Sequence, residues 1–300
     1  MKILSQTALL AGLLVAAAGI AQAEPVNESR PARPDARIEF SGVTGDFEIT
    51  GHDAEEWLLS GTLGDDVEEL VIEGDPDHWR IHLEMKNGGF KWGRNTQSSD
   101  LKLLVPHGSE LAVKVVSADL KLRELDGRSV DAQTVSGDLE LRQVNPARLN
   151  ARTVSGDVKA DGGASEVNRF QSVSGDVNAS GARGRIELES VSGDVSIKGT
   201  EVSELSVESV SGDIVARIRP TERARLEIGS HSGDVDVYLP AGSGVRVDAE
   251  TFSGSIASAF GGQVRSGRGP GESLSMETGA ATVEIRANTF SGNVRIRHLD

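Results

Sequence analysis

The sequence predicts an all-β chain, a single-chain β-solenoid of the β-helix kind with coils of about 19 residues. Three observations predict it. First, a short phrase recurs: TVSGDLEL around Ser136, TVSGDVKA around Ser155, SVSGDVNA around Ser174, SVSGDVSI around Ser192 and SVSGDIVA around Ser211. Second, weaker copies at Ser117, Ser232, Ser253 and Ser291 give serine-to-serine steps of 19, 19, 19, 18, 19, 21, 21 and 38 residues. Third, apolar residues keep fixed offsets within each unit, with a change of parity at the Ser-Gly pair. Apolar residues stand six and four before the serine (Val130 and Ala132, Ile186 and Leu188) and three and five after it (Leu139 and Leu141, Val195 and Ile197). The faces of a strand alternate strictly, so that switch requires a corner, and glycine supplies its backbone conformation. Each unit is thus strand, Ser-Gly corner, strand and turn. One unit cannot bury its own apolar residues, whereas stacked units share a core. A sandwich of hairpins is the second-ranked fold, because generic alternation does not require a fixed period.

The elements follow in chain order. Residues 1–23 read as a signal peptide: Lys2, a largely apolar run from Ile3 to Ile20, and the small-x-small site Ala21-Gln22-Ala23. No cysteine follows the cut, and no later run approaches the roughly 20 apolar residues that span a bilayer. Residues 24–36, with Pro25, Pro31 and Pro34 among charges, read as a disordered linker. Residues 37–300 read as one solenoid domain. Within it, 37–100 form irregular N-terminal coils and a cap, 101–256 the regular repeats, and 257–300 a glycine-rich loop and a C-terminal coil. The first phrase, IEFSGVTGDFEI from Ile38 to Ile49, fits the repeat with Thr44 in the serine place. Eight coils from Ser117 to Ser253, stacked at about 4.8 Å, would make a rod of roughly 35–40 Å. Residues 51–100 and the final coil are the expected caps for its two exposed edges.

Composition narrows the function. Removing the leader takes away its one lysine and moves the formal charge from −15 to −16. That disfavours nucleic acid and anionic lipid surfaces, which need clustered positive charge. With no cysteine, the chain has neither disulfides nor a thiol nucleophile. It is expected to be exported, either periplasmic or secreted to the cell surface. Nothing in the sequence fixes its oligomeric state.

These features resemble the bacterial putative-adhesin family of exported β-strand-repeat proteins, a domain of unknown function. The likeness rests on IEFSGVTGDFEI, the TVSGD repeats, the strand-then-proline phrases at Pro106 and Pro240, and the closing TFSGNVRI. It covers about residues 38–300 and implies an all-β, solenoid-like fold. It implies no catalytic residues.

Several residues are candidates for chemistry. Asp138, Asp157, Asp176, Asp194 and Asp213, with Asp119 and Asp234, share one offset and would stack in a column. Neighbours about 4.8 Å apart repel by roughly 0.8 kcal/mol in water, whereas a carboxylate capping a corner N–H recovers about 1.5–3 kcal/mol. Structural capping is therefore the first reading of these aspartates, and weak calcium binding the alternative. The hydroxyls two before each serine (Thr134, Thr153, Ser172 and onward) fall on the inward parity, which argues against an ice-binding face. His78 and His82 lie roughly 13 Å apart on a strand, too far to chelate one ion together. No Gly-x-Ser-x-Gly elbow or phosphate loop is present, so an enzyme is not expected. The loop Phe90-Lys91-Trp92-Gly93-Arg94 sets two aromatics among basic residues. It is read either as a contact for an envelope glycan or protein, or as a plug over the solenoid's end.

The sequence thus points to an exported, non-enzymatic structural or binding module of the bacterial envelope. A polysaccharide-acting β-helix enzyme is the first alternative, and a calcium-stabilised scaffold the second.

Overall fold

The computed structural model describes residues 24–86, 97–163, 165–266 and 271–299. Among them every regular element is a strand, and all strands join one continuous sheet. No helix is long and apolar enough to cross a membrane. The residues read as a signal peptide and the Phe90–Arg94 loop lie outside the described residues.

Equivalent residues of successive phrases pair in parallel register. Before the corner, Ser155 pairs with Ser174, Ser174 with Ser192, Ser192 with Ser211 and Ser211 with Ser232. After it, Leu139 pairs with Val158, Val158 with Val177 and Val177 with Val195. The parity switch follows: Leu149, Ala151 and Thr153 are buried before one corner, and Val158 after it. Hydrogen bonding runs through the corners themselves, for example from Gly156 N to Ser174 O at 3.0 Å. A single apolar core extends along the array from Ala32 to Ile296.

The order of the coils departs from the order of the chain. The strand Val283–Ser291 pairs with Ile214–Ser232 on one side and with Val245–Ser253 on the other. The last coil is therefore inserted between the coils of Ser232 and Ser253, and does not cap the end. The cap at that end is Glu272–Glu277, which pairs antiparallel with Val245–Ser253. A physical reason is visible in the strands beyond the two corners. Val294–Leu299 offers six residues for pairing, Ile256–Ser258 only three. The poorer coil thus takes the outer place, where only one neighbour is needed.

The beginning of the chain repeats this arrangement. Thr44–His52 lies between Ser99–Pro106 and Ser117–Leu125, and Arg37–Ser41 lies between His78–Met85 and Glu110–Lys114. The excursion over residues 51–100 covers the outer edges with antiparallel strands. Val67–Asp75 pairs with His78–Met85, and Glu56–Leu63 with Ser99–Pro106. The stretch expected as a disordered linker corrects the sequence reading. Glu24–Pro31 is a strand, paired antiparallel with Glu56–Leu63. An outermost strand tolerates Pro25 and Pro31, because an edge leaves N–H positions without a ladder partner. The bulkiest core residues gather at this end: Trp57 meets Trp79 edge to face, with ring centroids 5.6 Å apart, and Phe40 meets Phe47 at 5.1 Å.

Candidate functional site: an apolar ridge along the corners

The inward positions before each corner are two, four and six residues ahead of the serine, so the residue just ahead of it must point outward. In the repeats that residue is apolar. In spatial order the row reads Val116, Val135, Val154, Val173, Val191, Val210, His231, Phe290 and Phe252. The valines are 44–50% exposed and the phenylalanines 50–53%. About half of each valine's surface thus faces solvent. At about 4.8 Å per rung the row runs for roughly 38 Å. With side chains on the order of 150–200 Å² each, it exposes roughly 600 Å², the upper end of what monomers ordinarily leave bare.

The inserted coil builds the row's far end. Phe290 stacks against His231 on one side, with centroids 5.1 Å apart and planes within 5°. On the other side it stacks against Phe252, at 4.7 Å and 6°. The three rings stand side by side only because Ser291 lies between Ser232 and Ser253. Beside them opens a groove of about 680 Å³, lined among others by Glu208, Glu250, Arg265 and Glu272.

The aspartate column borders the ridge. Asp138 N donates to Asp119 Oδ1 at 2.9 Å, Asp157 N to Asp138 Oδ1 at 2.9 Å and Asp176 N to Asp157 Oδ1 at 2.8 Å. Asp194, Asp213 and Asp234 continue the series, each N–H at 2.8 Å from the preceding carboxylate. Each carboxylate thus spends one oxygen on the backbone of the coil above and keeps its charge at the surface. The column passes into the inserted coil. Asp234 Oδ1 accepts from Asn293 N at 2.8 Å, and Asn293 Oδ1 accepts from Ser255 N at 3.0 Å. Burial acts to raise the pKa of Asp234, but the Asn293 donors and Arg295 outweigh it and hold the carboxyl below its ordinary value of 3.8. On the other flank the residues three before the serine include Glu189, Glu208 and Glu250. The ridge is an apolar line with the aspartate column on one side and, on the other, a mixed row that also holds Lys114 and Arg152 and turns acidic at Glu189, Glu208 and Glu250.

The remaining candidates scatter. His78 Nε2 lies 3.2 Å from Glu39 Oε1, and His82 Nδ1 lies 2.7 Å from Ser41 Oγ. The two histidines therefore serve separate neighbours. Among the described residues no three His, Cys, Asp or Glu side chains converge to a metal-sized cluster. The sequence reading passed over the ridge itself, although its signal was present. An apolar residue at outward parity, repeated in phrase after phrase, has no core to fill.

The sequence pattern of the Toastrack DUF4097 family matches residues 37–240 and 186–297. No curated protein matches the chain. Among solved structures, a putative adhesin from Bacteroides fragilis is 14% identical, with 93% of this chain and 100% of that one covered and a TM-score of 0.39. A putative lipid binding protein from Parabacteroides distasonis is 15% identical, over 92% and 97%, at a TM-score of 0.40. A putative cell adhesion protein from Clostridium sporogenes is 12% identical, over 92% and 100%, at 0.22. The family pattern takes in both the array and its inserted last coil, in agreement with the resemblance carried by the TVSGD repeats: the chain belongs to the Toastrack DUF4097 family.

Proposed function

We propose that the chain is an exported, non-enzymatic binding rod of the bacterial envelope, a β-solenoid of about 19-residue coils whose contact surface is the corner ridge. The observation that carries this is the unbroken row of exposed valines ending in three stacked rings. An apolar line offers no donors or acceptors, so it suits a polypeptide surface better than a glycan rich in hydroxyls. The flanking carboxylates select the partner further: they fit apolar side chains bordered by lysine or arginine. Adhesion to another envelope or surface protein meets that description.

The test compares wild type with Val173→Ser/Val191→Ser and with Phe252→Ser/Phe290→Ser for retention on washed envelope fractions. These side chains lie outside the core, so the melting temperature should hold. Retention is expected to fall at least tenfold in both variants, and in wild type at high salt. Full retention by variants that melt normally would overturn the ridge as contact surface. No reducing sugar should be released from envelope polysaccharide.

A further inference from the structure

Most arginines on the faces of the coils reach a carboxylate. Arg169 meets Glu187, Arg185 meets Glu204 at 2.8 Å, and Arg295 meets Asp234 at 2.7 Å. Several cations make no such pair, and three of them stand together. Among the described residues Lys198, Arg217 and Arg219 make no ion pair. The register places them together on the outward face beyond the corner. Lys198 pairs with Arg217, Arg217 with Tyr238, Tyr238 with Arg297, and Thr200 with Arg219.

Tyr238 organises the row. The Arg217 guanidinium sits 4.7 Å from the centre of its ring, and Arg297 lies 5.8 Å from it on the next rung. Arg297 is engaged elsewhere as well, with Asp236 at 3.4 Å. Arg217 has the ring alone, which holds the planar group in place while its N–H donors stay open. Above these rungs lies a hollow of about 360 Å³, lined by Lys198, Thr200, Arg217, Arg219, Tyr238 and His298, together with Gly199 and Leu299. Among the described residues no aspartate or glutamate lines it. Lysine and arginine on neighbouring rungs repel, as the aspartates do on theirs. The aspartates are compensated by backbone N–H groups; among the described residues no carboxylate compensates these cations. Concentrated unpaired positive charge in a chain of formal charge −15 is an arrangement that an anion relieves.

We propose that this hollow binds a phosphate group, with Arg217 and Arg219 donating to its oxygens and Lys198 supplying a third charge. Two guanidinium forks and an ammonium exceed what one carboxylate can use, and tetrahedral oxygens can take donors from separate rungs. The phosphate is carried either by a soluble molecule or by a lipid headgroup. The site is separate from the ridge and rests on none of its residues.

The chain has a single tyrosine, so Tyr238 reports on the hollow directly. The experiment titrates inorganic phosphate into full-length mature protein carrying ring-¹³C tyrosine, with ionic strength held constant by chloride. The Tyr238 signal is expected to shift and saturate. Arg217→Gln/Arg219→Gln should raise the apparent Kd at least tenfold. Lys198→Gln, which leaves the ring contact intact, should raise it several-fold. Arg169→Gln, on another face, should leave it unchanged. A second arm sediments the protein with phosphatidylcholine vesicles, with and without phosphatidylglycerol. Sedimentation that needs phosphatidylglycerol and is lost in the double variant assigns the lipid source; a saturating shift without sedimentation assigns the soluble one. A shift reproduced by chloride alone, kept in full by a folded double variant, or absent together with sedimentation, would overturn the proposal.

Discussion

Gly175→Ala tests the stacking at its tightest point. Gly175 has φ +139°, and a Cβ placed there would sit 2.1 Å from Gly156 O and 2.6 Å from its carbonyl carbon. The obstruction is backbone of the coil below, so no rotamer change relieves it; the two coils must part by nearly an ångström. Parting them stretches the bond from Gly156 N to Ser174 O and the cap from Asp176 N to Asp157 Oδ1, now 3.0 and 2.8 Å. The backbone conformation alone costs alanine about 1–3 kcal/mol, and weakening two hydrogen bonds adds about 1 kcal/mol or more. We expect a loss of about 3 kcal/mol, which for a chain of this size lowers Tm by roughly 6 °C or more. The control is Gly229→Ala, where an added Cβ meets nothing within 4 Å; it should hold or slightly raise Tm. Thermal melts followed by circular dichroism decide the matter. Equal melting of the two variants would refute corner-to-corner stacking.

Three more predictions come from the same geometry. Thr251 Oγ1 donates to Gly292 O at 2.9 Å, whereas the buried Ser209 hydroxyl has no partner; in urea melts Thr251→Val should cost about 1 kcal/mol, and Ser209→Ala no more than about 0.5 kcal/mol or none. The depressed Asp234 pKa gives stability that is full above the unfolded aspartate value near 3.9 and is lost as pH falls through the lower folded value; melts from pH 5 to pH 2 should show a shallower acid limb for Asp234→Asn, and an unchanged limb would count against the Asn293 and Arg295 contacts. Deleting residues 282–300 uncovers the edges of Ile214–Ser232 and Val235–Pro240 together; such a chain should melt far lower and elute as aggregates, and a monomer with wild-type Tm would disprove the inserted coil.

Much of this architecture was legible in residue spacing. Val158 and Val177 were expected one above the other, and they pair. The hydroxyls of Thr134, Thr153 and Ser172 were placed inward, and they are buried. Neighbour order was not legible, because near-identical phrases present near-identical edges. The phrase at Ser291 fits beside Ser232 as well as the phrase at Ser253 does. Only the excursion from residue 259 to 282, long enough to cross one coil and return, separates the two outcomes. The strand Glu24–Pro31 was hidden for a different reason. Its proline and charge content match a linker, and its strand state depends on a partner, Glu56–Leu63, that itself belongs to the irregular cap. The ridge escaped because only the inward offsets were interpreted, although parity already placed the residue before each serine outside.

The two misread ends answer one physical problem. Stacked parallel coils expose at each end an edge identical to the ones inside, which invites another copy to continue the stack. This chain turns both ends inward. Its first and last coils each lie one place in from the end, and the outermost coils carry antiparallel strands, a direction that another parallel coil cannot extend in register. Closure of the far end also requires the inserted coil, since Phe290 and Asn293 complete the ring stack and the carboxylate column. The same insertion that blocks end-to-end growth therefore assembles the aromatic end of the ridge, so the surface proposed for binding is complete only when that coil is in place.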